Sequence, residues 1–365
     1  MPLAEELIND VTAEALAAAV QQATGAPAAH LRAARSALAP LPLRARADLL
    51  RDALMADVPG DYARLAAVVR TASATMDGWM IWPVTTAVAE RAVSEGGTSA
   101  FDDALALLSE LTTRLTAEFA IRTLLRHDLD RAMATVTTWT TSADPAVRRL
   151  ASEGTRPYLP WAIRVQPILA SPGTTVPVLD ALYRDPDPVV RRSVANHLND
   201  LSRDNAGLVV AVARRWLAEP AADGTTPALV QHALRTLIKR GHPEALELMG
   251  FGAATVTIDG PVLARSTVPF GGSVEFSATI TNDGAEMTRL AIDYAVHHRR
   301  ANGGQSHKVF KLTTRTLSPG EQITVTKVHS LRPITTRKYY PGAHAIELRV
   351  NGSPSARTEF ELLPD

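Results

Sequence analysis

Asp144-Pro-Ala-Val-Arg-Arg-Leu-Ala151 returns 43 residues later as Asp187-Pro-Val-Val-Arg-Arg-Ser-Val-Ala195. A period of that length lies within the ~40 to 47 residues of helical-pair repeats of the HEAT and armadillo kind. Each copy has the chemistry of a helix start. The Asp carboxylate caps free N–H groups, Pro fits the first helical position, and the apolar residues that follow face a neighbouring helix. Pro227-Ala-Leu-Val-Gln-His-Ala-Leu234 opens a third such helix 39 residues after Pro188, and Thr116 to Thr138 supplies a helix pair before the first. The expected architecture is an α-solenoid of stacked pairs with one concave face, a shape that serves binding more often than enclosed catalysis.

Helical periodicity continues back to the start of the chain, in AEALAAAVQQA (13–23), ADLLRDALMADV (47–58) and FDDALALLSELTTRL (101–115). From about Thr255 it stops. VTIDGPVLA, SVEFSATITN, LAIDYAVHHR, KVFKLTTRTL, QITVTKVHSL, HAIELRVNG and RTEFELL are short runs rich in Val, Ile and Thr, separated by Gly, Pro and Asn. Such runs in a segment of this size predict a β-sandwich of immunoglobulin-like dimensions. The expected division is a helical-repeat domain over residues 1–250 and an immunoglobulin-like domain over 255–365, joined at Gly250, Gly252 and the short stretch after them.

Thirty-eight Lys plus Arg balance 38 Asp plus Glu over 365 residues, and 46% of the residues are hydrophobic. A sizeable core follows, and a strongly basic tail-type protein is excluded. With no cysteine, disulfides, thiolate zinc sites, iron–sulfur clusters and a cysteine nucleophile are excluded together. MPLAEELINDVTAEAL is acidic where a signal peptide is basic and lacks an apolar run, and no stretch approaches the ~18 apolar residues of a membrane span. A cytoplasmic protein that does not enter membranes is expected. Also missing are a phosphate loop ending in Lys-Ser/Thr, a G-x-G-x-x-G turn, H-E-x-x-H and G-x-S-x-G.

Superposing the two clear repeats sets Glu153 opposite Asn196, with Asp200 one turn further on nearly the same face. Glu118, in TAEFAIR, can join them from the preceding repeat. Arg148, Arg149 and Arg156 bracket Glu153, Arg191 and Arg192 precede Asp200, and Arg122 follows Glu118. Carboxylates ringed by arginines suit a site that holds phosphates at its rim and a developing cation at its centre. The same pattern also describes plain pairing between repeats. Trp161, in Arg156-Pro-Tyr-Leu-Pro-Trp161, is placed at the mouth, either as core filler or as a stacking platform. Trp79 and Trp82 read as core, and His197 and His232 as packing or surface histidines.

RRLASEGTRPYLPWA (148–162), with TAEFAIR before it, RRSVANHLNDLSRD (191–204) after it and GWMIWPV (78–84), resembles the AlkC branch of the AlkC/AlkD-like HEAT-repeat DNA glycosylases. One subgroup of that branch carries a C-terminal immunoglobulin-like domain. The resemblance implies base-excision repair: hydrolysis of the N-glycosidic bond of cationic N-alkylated bases, such as 3-methyladenine and 3-methylcytosine, in duplex DNA without a base-specific pocket. It makes Glu118, Glu153 and Asp200 the catalytic carboxylates. Trp161, Arg149 and Arg156 become contacts to the lesion and its phosphates, with Arg148 and Arg192 beside them. Tyr158 departs from the pattern, which has a basic residue there, and one backbone contact is expected to weaken.

The chemistry fits these residue types. An alkylated ring nitrogen already makes the base a cationic leaving group, so no general acid is needed. The carboxylates stabilise the positive charge growing on the sugar, and one of them orients or deprotonates water. Asp200 is expected to serve the water, Glu153 the sugar, and Glu118 to add field and position. A lyase needs an amine nucleophile, and the helical half has only Lys239, so a monofunctional hydrolase is expected.

In the β-domain, His297-His-Arg-Arg300 through Lys308 and Arg332 through Tyr340 combine basic, aromatic and glycine residues. Arg300, Lys308, Arg337 and Lys338 are therefore expected to contact DNA, against the plain alternative of ordinary surface loops. His297, His298 and His307 make a poor metal set, and no cofactor or metal is expected. The rival class is a non-enzymatic scaffold binding protein or undamaged nucleic acid, in which the carboxylates scatter or each pairs with an arginine. Residues 1–119 hold 9 basic and 15 acidic side chains, 120–250 hold 16 and 13, and 251–365 hold 13 and 10. The neutral total hides a basic excess where the contacts are expected, and a monomer with modest affinity for undamaged DNA follows.

Overall fold

Asp144 accepts a hydrogen bond from the Ala146 N–H at 2.7 Å, and Asp187 from the Val189 N–H at 2.7 Å. Both repeats thus begin with a carboxylate cap and a proline in the first turn. The computed structural model describes residues 3–219, 224–334 and 337–364. Its helices begin with α1 (Ala4–Leu7), α2 (Asp10–Thr24), α3 (Ala29–Ala34), α4 (Leu43–Asp57), α5 (Tyr62–Ala72), α6 (Ile81–Glu95) and α7 (Thr98–Leu111). There follow α8 (Ile121–His127), α9 (Leu129–Trp139), α10 (Pro145–Glu153), α11 (Gln166–Ala170), α12 (Val176–Leu182), α13 (Pro188–Leu201), α14 (Ala206–Ala218) and α15 (Thr225–Ala233). The last two are α16 (Arg235–Arg240) and α17 (Pro243–Leu248). Among the described residues no helix is long and apolar enough to cross a membrane.

The chain divides into two compact units, Met1–Leu208 with Pro220–Ala233, and Val209–Glu219 with Leu234–Asp365. In the first, alternate helices touch. α2 lies on α5 and α5 on α7, α4 on α6 and α6 on α8, and further along α10 lies on α13 and α13 on α15. Stacked helical pairs produce this alternation, because each pair buries its apolar stripe only against the next. Leu50, Leu54, Leu65, Val84, Val88 and Leu108 are fully buried there. Each such side chain contributes about 1.5–3 kcal/mol relative to exposure.

The second unit holds β1 (Val256–Leu263), β2 (Thr267–Val268), β3 (Ser273–Asn282), β4 (Thr288–Arg299), β5 (Gln305–Leu317), β6 (Gln322–Ser330), β7 (Gly342–Val350) and β8 (Ser353–Leu362). They form a three-stranded sheet, β1-β3-β6, and a five-stranded sheet, β2-β8-β7-β4-β5. Period-two alternation puts Val274, Phe276, Ala278 and Ile280 of β3 into a core shared with Tyr294, Ile346, Leu348 and Phe360. The seven anticipated runs all lie on strands. The eighth strand, β2, spans two residues paired in parallel with β8, too short to show any alternation.

Helices α16 and α17 belong to the same unit as the strands. Gly241 and Gly352, both at positive φ, face each other so closely that a Cβ on either would come within 3 Å of the other's Cα. The Arg289 guanidinium donates to the Met249 carbonyl at 3.2 Å, and Asn351 donates to the Gly252 carbonyl at 2.9 Å. The joint expected at Gly250 and Gly252 is therefore tied to the strands, and the compact boundary falls elsewhere than the change of composition. Side-chain bonds made across 40 and 99 residues leave no trace in composition.

Candidate active site

Glu153 is the last residue of α10, and Asp200 the penultimate residue of α13. Helix C-termini carry partial negative charge and disfavour carboxylates, so both need cationic partners. Glu118 lies in the turn entering α8, rather than on a helix as its spacing from the later repeats implied. All three acids are more than nine-tenths buried.

Two arginines string them together. Arg149 lies 2.8 Å from Glu118 Oε2 and 3.7 Å from Glu153 Oε1. Arg156 donates through Nη1 to Glu153 Oε1 at 2.6 Å and through Nε to Asp200 Oδ2 at 2.9 Å. Burial lowers the Arg156 proton affinity, but Glu153 and Asp200 outweigh it and raise the guanidinium above its ordinary value. The row Glu118–Arg149–Glu153–Arg156–Asp200 is continuous, with three carboxylates sharing two guanidinium groups. Convergence, expected of an enzyme, and arginine pairing, expected of a scaffold, occur together.

Hydroxyls complete the row. Thr116 donates to Glu118 Oε2 at 2.8 Å, and Ser193 donates to Glu153 Oε2 at 2.6 Å. Glu153 thus has both oxygens engaged. Among the described residues, Asp200 Oδ1 and Glu118 Oε1 accept no hydrogen bond. Sequence reasoning missed Ser193 and Thr116. The signal for Ser193 lay in the repeat itself, since it occupies the slot filled by Leu150 one period earlier, a polar residue in an apolar place.

Arg122 is fully buried and leaves the carboxylates alone. It donates to the carbonyls of Ile163 at 2.6 Å, Gly154 at 3.0 Å and Arg156 at 2.8 Å. Burial, with Arg164 and Arg156 nearby, pulls its guanidinium down to about 10. Its role is to pin the loop that carries Arg156 and Trp161. Gly154 serves the same packing, for a Cβ there would stand 2.7 Å from Ile121 Cγ2. His197, fully buried, bonds the Ser152 carbonyl at 2.9 Å and Thr175 Oγ1 at 3.1 Å; burial lowers it to about 3 and keeps it neutral.

Trp161 is 43% exposed and holds φ at 60°, a left-handed backbone unusual for a large side chain. Its carbonyl accepts from Arg44 at 3.2 Å, and its ring meets Trp79 edge-on. Trp82 stacks on Phe119 at 4.0 Å, as core residues do. Tyr158 donates to Asp204 and lies under two guanidinium groups, Arg203 at 4.4 Å and Arg164 at 4.6 Å. The departure at Tyr158 therefore gathers two cations around a neutral ring, instead of simply removing one.

Arg148 is spent elsewhere. Both arms of its guanidinium grip Asp185, at 2.6 and 2.9 Å, and Nη1 also donates to the Ser142 and Ala143 carbonyls. Arg191, its repeat counterpart, donates to the corresponding Asp185 and Pro186 carbonyls. The first arginine of each pair holds the turn that enters its own helix, and Arg148 also reaches the next repeat through Asp185. Arg192, the second of its pair, is exposed and makes no hydrogen bond or ion pair among the described residues.

In the sandwich, Arg300 closes the turn between β4 and β5, its N–H donating to the Gly304 carbonyl at 2.7 Å. Lys308 is exposed and lies over Phe310 at 5.2 Å, and Lys338 is exposed over Tyr340 at 5.6 Å. Arg337 is half-buried, bridging to Ile334. His297 meets Glu347 at 3.1 Å, an acid 50 residues away that sequence proximity could not supply. No group of three or more His, Cys, Asp or Glu among the described residues is arranged to hold a metal.

Comparison with known proteins bears on this geometry. Residues 257–364 match the family model described as the C-terminal Ig-like domain of the uncharacterised protein YhaZ. The uncharacterized protein YhaZ of Bacillus subtilis (strain 168) is 33% identical over 274 residues, 74% of each chain. The solved structure of the Pseudomonas fluorescens alkylpurine DNA glycosylase AlkC, bound to DNA containing an abasic site analog, matches over the full length of both chains at 32% identity with a TM-score of 0.87. The chain belongs to the AlkC/YhaZ family. Its AlkC-type fold is a helical region followed by an Ig-like domain, as the sequence led one to expect. The structural match spans the residues of the helical region and of the sandwich alike.

Proposed function

We propose that this protein is a monofunctional DNA-repair glycosylase, acting in the cytoplasm on duplex DNA. It hydrolyses the N-glycosidic bond of cationic N-alkylated bases such as 3-methyladenine and 3-methylcytosine, without a base-specific pocket. The observation that carries this reading is the buried row of three carboxylates sharing two arginines, in a chain that aligns with an alkylpurine DNA glycosylase over its whole length.

The departing base is neutral once its bond breaks, while positive charge grows on C1′ and the ring oxygen of the sugar. A cluster with an excess of carboxylate attracts that charge more strongly in the transition state than in the ground state, as catalysis requires. Asp200, with Oδ1 uncommitted, is the group that accepts the proton of the attacking water. Glu153, held by Ser193 and Arg156, is fixed as an electrostatic support for the sugar. Glu118 adds field and anchors Arg149. Trp161 stacks at the mouth, while Arg149, Arg156 and Arg192, with Arg300, Lys308, Arg337 and Lys338 of the sandwich, meet phosphates.

The test is incubation with duplexes carrying 3-methyladenine, 3-methylcytosine or 7-methylguanine, followed by alkaline cleavage. Abasic product from at least one is expected. No product from any leaves the scaffold reading, which the arginine pairing of every carboxylate also fits. Borohydride treatment is expected to trap no covalent adduct, because no amine lies among the groups in contact with the carboxylates.

A further inference from the structure

Helices α4, α6 and α8, with the loop that follows α10, line a cavity of about 320 Å³. Its aromatic lining is Trp82, Phe119 and Trp161, and its polar lining includes Asp48, Glu90 and Arg126. Trp161 is thus a wall of this cavity, and among the described residues none of the three proposed catalytic carboxylates lines it. The cavity is nevertheless their neighbour. Phe119 follows Glu118 directly, about 3.8 Å away between Cα atoms. Arg122 donates to the Arg156 carbonyl at 2.8 Å and to the Ile163 carbonyl at 2.6 Å, so one buried side chain fixes an arginine of the carboxylate row together with a residue of the cavity wall.

The polar groups left free decide what fits. Arg51 donates to Asp48 at 2.8 Å and to Glu90 Oε1 at 3.0 Å, while Arg44 lies 3.7 Å from Asp48 and donates to the Trp161 carbonyl at 3.2 Å. With those two arginines engaged by the two acids, the lining offers little net field to a phosphate. Among the described residues Glu90 Oε2 accepts no hydrogen bond, and the exposed Arg126 side chain makes no hydrogen bond or ion pair. Burial, with Asp48 and Asp52 adding to it, outweighs Arg51 and raises Glu90 above the ordinary carboxyl range, as for a carboxylate short of donors. One free acceptor, one free donor and aromatic rings complement a neutral planar heterocycle that carries an amino group and a ring nitrogen. The volume lies at the small end of the roughly 300–1,000 Å³ of small-molecule sites, which suits a single ring system.

We propose that this cavity receives the free base once the N-glycosidic bond has broken. This rests on the glycosylase reading and deepens it by giving the second product a place of its own. The base departs neutral, its amino group donates to Glu90 Oε2, a ring nitrogen accepts from Arg126, and the ring stacks on Trp161. The cavity holds the base outside the duplex and does not read it inside, so bond breaking needs no base-specific pocket. A base held there is kept from returning to C1′.

Equilibrium dialysis of the full-length protein against free 3-methyladenine, with and without a duplex carrying an abasic-site analogue, measures the site. Saturable binding is expected, and it persists with the duplex present because base and abasic DNA are formed together. Glu90→Gln keeps the shape of the cavity and is expected to weaken base binding about tenfold, the low end for a hydrogen bond to a charged group. Thr123→Phe, on the α8 wall, fills the cavity and is expected to abolish binding. Photolabelling of the unsubstituted protein with 8-azidoadenine, followed by peptide mapping, is expected to mark peptides containing Glu90 or Trp161. Binding that does not saturate, displacement of the base by the duplex, full affinity in either variant, or label confined to other peptides overturns the inference. Excision without base binding strikes the inference alone, whereas base binding without excision from any alkylated duplex strikes the proposed function alone and leaves the cavity a nucleobase site.

Discussion

Both units of this molecule bury carboxylates and arginines together, and they do so with opposite balances. In the helical unit, Glu118, Glu153 and Asp200 share Arg149 and Arg156. In the sandwich, one acid, Glu347, receives Arg349 at 2.8 Å, Arg357 at 3.0 Å and His297 at 3.1 Å. Burial pushes Glu347 up, but the two arginines outweigh it and hold its carboxyl below the usual range. The first cluster keeps acidic oxygens uncommitted, as the proposed stabilisation of a growing cation requires. The second is saturated with cations and has nothing left to offer a substrate. Buried ion pairs are weak evidence for function or stability by themselves, and the surplus sign separates a reactive cluster from a structural one.

The comparison breaks most directly at Asp200. Asp200→Asn is expected to lower single-turnover excision about 10³-fold, the scale of a lost general base with its electrostatic support, while Glu347→Gln leaves the chemical step alone. Near-normal excision by Asp200→Asn, with loss in Glu153→Gln, would reassign the water to Glu153.

Glu347→Gln should instead cost about 3 kcal/mol of stability by leaving two arginines without their carboxylate, the lower end because Arg357 is half exposed. Denaturant unfolding measures it, and a loss within error would show that the sandwich cluster is not structural.

Acid sharpens the contrast further. Burial, with Arg337 beside both, lowers His298 to about 3 and His329 to about 4 in the sandwich. In the helical unit, burial lowers His197 to about 3. Folded, these rings stay neutral, whereas unfolded ones bind a proton below the ordinary value of 6.5. Their stability contribution is complete above that pH and is lost as pH falls toward the folded values, by about 1.4 kcal/mol per pH unit for each ring. Hydrogen exchange followed by mass spectrometry at falling pH should therefore show sandwich peptides losing protection first.

The smallest expected effect is at Trp161. Trp161→Gly removes the strain of a left-handed tryptophan and should stabilise the fold by about 1 kcal/mol, while weakening binding to lesion-containing DNA by about 1–3 kcal/mol. Lower stability together with unchanged binding would identify Trp161 as core filler.

Much of the candidate site is legible in the sequence. The 43-residue period identifies the partner helices, and the positions of Glu153 and Asp200 on it bring those acids toward one cleft. The same logic does not tell Arg148 from Arg149. Its neighbour in the sequence, Arg149, has the same chemistry, but only one of two adjacent helical residues can face the cleft, and the other turns to Asp185. Arg122 was misread for a related reason: its three carbonyl partners lie more than 30 residues away on a loop with no periodicity. Ser193 was hidden because serine in a helix is ordinary until its image, Leu150, is placed beside it.

By itself the sequence determined the order of helical and β regions, the helix starts at Asp144 and Asp187, and the set of acids and arginines from which the site is drawn. Caps, periodicity and turn residues act within a few positions of one another, so they are written locally. Only the tertiary structure decided which arginine meets which acid, that three carboxylates share two guanidinium groups, and that Glu347 rather than a neighbouring acid serves His297. Those outcomes depend on distances between residues roughly 30 to 50 positions apart, set by how successive helices stack and how strands pair, and charge at such a site is fixed by contact and burial rather than by composition.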